Sequence, residues 1–301
     1  MTGSITDVPG LRVGHRARGG TGVTVVLVPP GTVGSGELRG GGPATRDLAL
    51  LEPSRTVEHV DAVVLTGGSA FGLAVADGVV DWLAEQGRGY PTRAGPVPIV
   101  PTAAIYDLVE SGGTRPGPED GRLAAEAAGA DPVLVTGRVG AGTGATVGKW
   151  RGAEHAVPGG LGSASTKVGD ATVGALAVVN ALGDVHDASG NLLAGSRAPS
   201  DAESFPEPTP FDGAADPNTT LVVVATDARC SKADCWLLAQ SAQHGIVRAV
   251  HPSHTRHDGD LAIALATGAV DAHLDRLRVA ATDVVAAAVR NAVTSSDDGS
   301  R

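Results

Sequence analysis

Residues 196–218, SRAPSDAESFPEPTPFDGAADPN, place the tightest limit on how this chain can fold. Five prolines, several acids and almost no aliphatic side chains leave the stretch nothing to bury. Proline also lacks the N–H that a helix or a strand ladder needs, so neither element runs through it. It reads as a loop or flexible tail. Both flanks are nevertheless structured, because TLVVVATDA follows at once as a buried-type strand. A loop of this length inside a compact unit demands a reason.

The first third of the chain alternates elements in an α/β pattern. LRVGH and GVTVVLVPP read as strands, ATRDLALLE as a short helix, and VDAVVLTGG as a strand running into the helix SAFGLAVADGVVDWLAEQ. In that helix Leu73, Val75 or Ala76, Val79, Val80 and Leu83 keep helical apolar spacing. A second helix, PEDGRLAAEAAGA, follows IVPTAAIYDL. From about Val133 to Leu193 short runs of Gly, Val, Thr and Ala favour β-structure with bends. Beyond the seam, SKADCWLLAQSAQHGIVRAV is a helix with Ser231 and Asp234 as a capping box. AHLDRLRVAATDVVAAAVRNAVTS is the last helix, and SSDDGSR is a frayed tail.

With 43 glycines and only 3% aromatic residues, the interior must be built mainly of Val, Leu and Ala, and a 42% hydrophobic content is ample for one large core. We expect one folded unit over 1–301 with an internal seam. A net charge of -10 and a pI near 5.3 leave no basic footprint for nucleic acid or an anionic membrane, which points to a protein acting on small molecules. MTGSITDVPG lacks the regions of a signal peptide and no apolar run reaches membrane-spanning length, so the expected location is cytoplasmic.

Several stretches are candidate sites. LTGGSAFGL falls short of a nucleophile elbow because Phe71 stands where the second glycine belongs. It reads as a strand-to-helix turn with Ser69 capping the helix. VGAGTGATVGKW is a poor nucleotide motif, with Thr143 and Trp150 at the wrong places. Within it Lys149 is one of three lysines beside twenty arginines; it is either a surface amine or a group for proton transfer. HPSHTRHDGD gathers His251, His254, His257, Asp258 and Asp260, but Pro252 and Gly259 favour a loop over the helix that would bring the rings together. A solvated loop, an acidic pair serving a site and a metal site all stay open. Cys230 and Cys235 have neither disulfide-framework nor metal spacing and read as packing residues.

Thr219 opens the strand after the seam. One reading is a Thr entering a strand after an Asx-type turn. In the other, the chain is cut before Thr219, whose hydroxyl then has its base in its own α-amine, titrating at about 7.7–8.0. The same hydroxyl can attack the Asn218 carbonyl to give an ester that water cleaves. The long polar linker would then swing its new end out of the site.

Taken together, ITDVPGLRVGH, VVLTGGSAFGLAVADGV, GRVGAGTGATVGKW, GGLGSAS, NTTLVVVATDA and HDGD resemble the P1 peptidases, the L-aminopeptidase/D-esterase or DmpA group also called family S58, over nearly the whole chain. The resemblance implies an α+β fold, an α/β/β/α sandwich of the N-terminal-nucleophile type related to ornithine acetyltransferases. It implies self-cleavage into 1–218, carrying the flexible linker 196–218, and 219–301, the cut units forming a homo-oligomer, often a tetramer. It casts Asn218–Thr219 as the scissile bond and Thr219 as nucleophile. Asn180 is implied as an oxyanion or substrate-orienting amide, Lys149 as support for activating the nucleophile, Tyr106 as a hydroxyl at the site, and Asp258 and Asp260 as an acidic pair. Better known aminopeptidases of the group cleave at Gly-Ser and carry Ser-x-Glu in place of Asp258-Gly259-Asp260, so the chain looks like the nylon-oligomer-hydrolase branch. The implied activity is hydrolysis of a small amide or peptide without metal or cofactor. The rivals are an acyltransferase with the same nucleophile and an uncut binding protein.

Overall fold

Every residue of the strand after the seam is buried, which requires a packed layer on each of its faces. In a computed structural model of the protein, describing residues 1–206 and 218–294, those layers are another sheet on one side and two helices on the other. The first sheet holds β1 (Arg12–Arg18), β2 (Thr21–Leu27), β4 (Ala44–Arg46), β5 (Ala62–Thr66) and β6 (Thr102–Ala104) in the order β1-β2-β5-β6-β4. The second holds β3 (Val33–Leu38), β9 (Gly160–Val168), β10 (Ala171–Asn180), β13 (Thr219–Ala228) and β15 (Leu261–Val270) in the order β3-β15-β13-β10-β9. β13 and β15 are parallel, so α4 (Lys232–Val247) crosses between them over one face of the sheet.

Side-chain alternation sorts the residues of β13 into two cores. Leu221, Val223 and Ala225 point at the first sheet, where they meet Val26, Val63 and Leu65; Val222 and Val224 point at α4 and α5 (Leu274–Thr294). The outer face of the first sheet is covered by α2 (Val75–Glu85) and α3 (Pro118–Gly129), through Val23, Val25 and Val64. The result is four layers, α/β/β/α. Each fully buried Val or Leu contributes about 1.5–3 kcal/mol, which lets a core almost free of aromatics suffice. Small side chains also let layers approach: a Cβ on Gly162 of β9 would run into the backbone of α5 at Ala288 and Ala292.

Most expected elements form, including the capping box, with Ser231 Oγ accepting from Asp234 N–H at 3.2 Å and Asp234 Oδ2 accepting from Ser231 N–H at 2.9 Å. The expected helix over ATRDLALLE does not form. Residues 44–46 pair with β6, Asp47 takes a left-handed conformation (φ 58°), and only a 3-10 turn, Leu48–Leu51, remains. Residues 133–145, read as β-structure, are loop with a 3-10 turn at Gly140–Gly142. β3 and β15 are strands that the sequence did not announce. Small sheets complete the rim, β7 (Thr146–Val147) with β8 (Val157–Pro158), and β11 (Asp184–His186) between β12 (Leu192–Ala194) and β14 (Val250–His251). A four-residue turn of helix, α1 (Ser69–Gly72), precedes α2.

The first part of the expected linker is held to the body. Ser196 N–H donates to Asp184 Oδ1, Arg197 N–H to the His155 carbonyl, and Phe205 N–H to the Trp150 carbonyl at 2.7 Å, with the two rings edge to face. Positions 207–217 of the linker and the SSDDGSR tail lie outside the described residues. Among the described residues no helix is long and apolar enough to cross a membrane.

Candidate active site

Thr219 is the first residue of β13 and shares the parity of Leu221 and Val223, so its side chain faces the space between the two sheets. It is 3% exposed. Its hydroxyl donates to the Asn218 carbonyl oxygen at 2.5 Å, and the N–H of Gly259 donates to that same oxygen at 2.6 Å. Asn218 is itself fixed as a strand extension. Its N–H donates to the His257 carbonyl at 3.0 Å, and its backbone bridges in parallel to Asp258. The strand that carries Thr219 thus delivers its hydroxyl onto the carbonyl one residue upstream.

Directly across the ladder from Thr219 stands Asn180, the last residue of β10, fully buried. Its Oδ1 accepts from Lys149 Nζ at 3.0 Å and from Thr146 N–H at 3.0 Å, and its Nδ2 donates to the Tyr106 carbonyl at 2.9 Å. Lys149 Nζ also reaches the Asn180 main-chain oxygen at 3.3 Å. Asn180 therefore ties the loop carrying Lys149, the segment after β6 carrying Tyr106, and the strand opposite Thr219 into one network. Of the open readings of Lys149, burial excludes the surface amine.

The acidic pair closes the other side. Asp260 Oδ1 accepts from Thr220 N–H at 2.7 Å, and its Oδ2 accepts from His254 N–H at 3.0 Å and lies 2.8 Å from the His254 ring Nδ1. Asp258 accepts from the N–H and hydroxyl of Thr255 at 2.9 and 2.6 Å. Both acids are 1% exposed. Burial first, and the Asp260 charge second, push the Asp258 carboxyl above its ordinary 3.8. The histidines divide. His254 meets Asp260 through its ring, while His257 enters through its main-chain carbonyl. Among the described residues no group of three or more His, Cys, Asp and Glu could hold a metal ion.

Ser69 is not the helix cap that the sequence suggested. Gly68 occupies that position in a left-handed conformation, Ser69 is itself left-handed (φ 55°), and its N–H goes to the Ile105 carbonyl. The turn is instead held by Asp107, whose Oδ1 accepts from Gly68 N–H at 2.7 Å. Burial raises the pKa of this carboxyl. Asp107 was visible only as the residue after Tyr106. Also unsuspected was RGGGP: the N–H groups of Arg39, Gly40, Gly41 and Gly42 all donate to carbonyls of the 255–260 loop. Three adjacent glycines beside a site were the available signal. The other two lysines are structural, Lys167 on the Thr172 hydroxyl and Lys232 within 3.0 Å of three carbonyls, those of Leu50, Arg55 and Val57. Cys230 and Cys235 are free and buried; burial pushes the Cys230 thiol up to about 11 and that of Cys235 well above the usual range.

Residues 3–300 match the family model described as peptidase family S58. The chain belongs to peptidase family S58. It is 46% identical over 295 residues to an uncharacterized aminopeptidase of Mycobacterium leprae, the match spanning 89% of this chain and 80% of that one. It is 32% identical over 280 residues to a 6-aminohexanoate-oligomer endohydrolase of Kocuria, 88% of this chain and 75% of that one. A Burkholderia beta-aminopeptidase superposes with a TM-score of 0.69 at 25% identity, over 97% and 86% of the two chains. An L-aminopeptidase D-Ala-esterase/amidase from Ochrobactrum anthropi, described as a variant of the Ntn hydrolase fold, gives 0.71 at 21% identity over 97% and 86%. This S58 chain is a hydrolase, and its four layers share the fold of those structures, a variant of the Ntn hydrolase fold.

Proposed function

We propose that this S58 peptidase is made as a precursor that cuts itself between Asn218 and Thr219 and then hydrolyses small amides or peptides through an acyl-enzyme on Thr219. The observation that carries this reading is the 2.5 Å contact between the Thr219 hydroxyl and the Asn218 carbonyl oxygen. The hydroxyl proposed as nucleophile already touches the oxygen of the carbonyl group it would attack. After the cut, the α-amine of Thr219 serves as its own base. Lys149, drawn to the facing residue Asn180, adds a positive charge that lowers the pKa of that amine toward working pH. Asn180 and Tyr106 supply donors for the substrate oxyanion and its orientation. Asp260, bonded to the Thr220 N–H, and Asp258, on the bridge to Asn218, order the ends of the cut strand.

The named activities of the relatives bring two substrate types to this chain, peptides with a free amino end and oligomers of an ω-amino acid. Both present an amide bond for the nucleophile to attack, and water takes the acyl group. The cut units assemble as a homo-oligomer, a tetramer in this proposal, and no cofactor takes part.

The test is the intact mass of freshly purified protein under denaturing conditions, beside Thr219→Ala. Species of residues 1–218 and 219–301, absent from the variant, are the expected result. A chain that stays whole after long incubation would remove the nucleophile reading. Products from an amide panel with and without an amine acceptor then separate hydrolysis, which gives the free acid, from acyl transfer.

A further inference from the structure

We infer that the peptide unit between Asp258 and Gly259 is the oxyanion device of maturation, its N–H taking up the charge that develops on the Asn218 carbonyl oxygen when Thr219 attacks. The inference rests on the self-cleavage reading above and adds the group that makes the carbonyl electrophilic. In that step the Thr219 Oγ1–carbon bond forms and the Asn218–Thr219 C–N bond breaks. The hydroxyl proton ends on the Thr219 nitrogen, leaving an ester and an amine. Water then splits the ester into the Asn218 carboxyl group and the Thr219 hydroxyl.

The scissile carbonyl oxygen accepts from the Thr219 hydroxyl at 2.5 Å and from the Gly259 N–H at 2.6 Å in the uncut chain. Attack uses up the first, since the hydroxyl proton leaves as its oxygen bonds to carbon. The second stays, and it is shorter than the usual 2.9–3.0 Å of an amide hydrogen bond. Charge on the oxygen strengthens a bond of this kind, and a donor already aimed needs no reorganisation at the moment of reaction.

The donor is held from behind. The carbonyl of the same peptide unit, that of Asp258, accepts from Gly42 N–H at 2.8 Å, so the unit is pinned at both ends and polarised along its length. Arg39 and Gly40 N–H donate to the Asp260 carbonyl at 3.0 and 3.2 Å, and Gly41 N–H to the Thr255 carbonyl at 3.3 Å, fixing the residues on both sides. Residue 259 must be glycine for the approach, because a Cβ there would stand 2.8 Å from Thr219 Oγ1 and 3.0 Å from the Gly42 carbonyl oxygen. Asn180, cast by resemblance as an oxyanion or substrate-orienting amide, has one amide proton on Tyr106 and its oxygen on Lys149 and Thr146 in the uncut chain. The two stages thus have separate donors, Gly259 for maturation and Asn180 for turnover.

The experiment times self-cleavage by intact mass in chains made by cell-free translation, with circular dichroism to verify folding. Glycolic acid in place of Gly259 exchanges the N–H for an ester oxygen and leaves the shape almost unchanged; cleavage should slow by about 10²–10³-fold. Gly42→Ala keeps its N–H, and its methyl has room, with only the Asp258 oxygen near it at 3.9 Å. It should cleave at the parental rate, whereas Gly42→Pro, which lacks the N–H and sets a ring carbon against the Asp258 carbonyl, should be several-fold slower. An ester chain that cleaves as fast as a cleaving parent overturns this inference alone. A parent that never cleaves takes the self-cleavage reading with it. Should the ester chain misfold, the Gly42 pair decides, and equal rates for Gly42→Ala and Gly42→Pro overturn the inference.

Discussion

Asn180→Ala removes the side chain that binds the site together, and the cost can be built up from its partners. The carboxamide is fully buried and makes four hydrogen bonds, one of them to the Lys149 ammonium and the longest, 3.4 Å, from the Thr146 hydroxyl. A buried neutral group left without a partner costs about 1–3 kcal/mol, and bonds to a charged group are worth about 1.5–3 kcal/mol. Lys149 keeps the Asn180 main-chain oxygen, which places its share at the low end. The Thr146 N–H and the Tyr106 carbonyl each add about 1 kcal/mol or more. The total is about 4 kcal/mol. Urea unfolding at pH 7 would measure it, with parent and variant both carrying Thr219→Ala so that cleavage does not intrude. The midpoint should fall with the slope unchanged. A loss under about 1 kcal/mol would refute the reasoning, since it would mean that the network is not formed. Asn180→Asp separates the contributions. It keeps acceptors for Lys149 and Thr146 but sets an oxygen against the Tyr106 carbonyl, so it should recover stability only in part.

Asp258 gives a pH test. Its folded carboxyl holds a proton to higher pH than the unfolded one, so between the ordinary 3.8 and the raised value the folded state binds more protons and stability falls as pH rises. In the uncut Thr219→Ala chain, the melting temperature of Asp258→Asn relative to its parent should therefore improve as pH climbs above 3.8, and be flat below it. Lys232→Met strands the carbonyls of Leu50, Arg55 and Val57 and should cost about 3 kcal/mol in the same urea assay, although Lys232 lies outside the site. Both cysteines should resist a thiol reagent at pH 8 until denaturant is added, because burial raises both thiols; rapid labelling of the folded chain would contradict their placement.

The strand-turn-helix units and the capped α4 were legible because each obeys a local rule: an apolar period, a turn residue or a cap. β3 was hidden because its interior carries Gly34, Ser35, Gly36 and Glu37, which read as a turn. It is a strand only through pairing with β15, more than 200 residues away in sequence. ATRDLALLE failed the other way, its helical-looking run overruled by the pairing of residues 44–46 with β6. At the site, Thr219, Lys149, Asn180 and the acids were legible by resemblance to a motif order. Gly259, Gly42 and Asp107 were not, because two of them act through the main chain and the third is a buried carboxyl that holds a turn. Backbone donors have no side-chain signature.

The strand order of the second sheet has a consequence for how the molecule comes apart. A cut before Thr219 puts β13 and β15 on one piece while their neighbours β10 and β3 stay on the other, so the short piece is inserted between two edges of the long one. Folding of the intact chain is then a one-molecule event, whereas reassembly after the cut needs two molecules to meet. The mature protein would melt at a temperature that rises with its concentration and would refold poorly on dilution, while the uncut Thr219→Ala chain would do neither. Such a protein learns its shape once, as a single chain, and afterwards keeps it chiefly by being slow to let go.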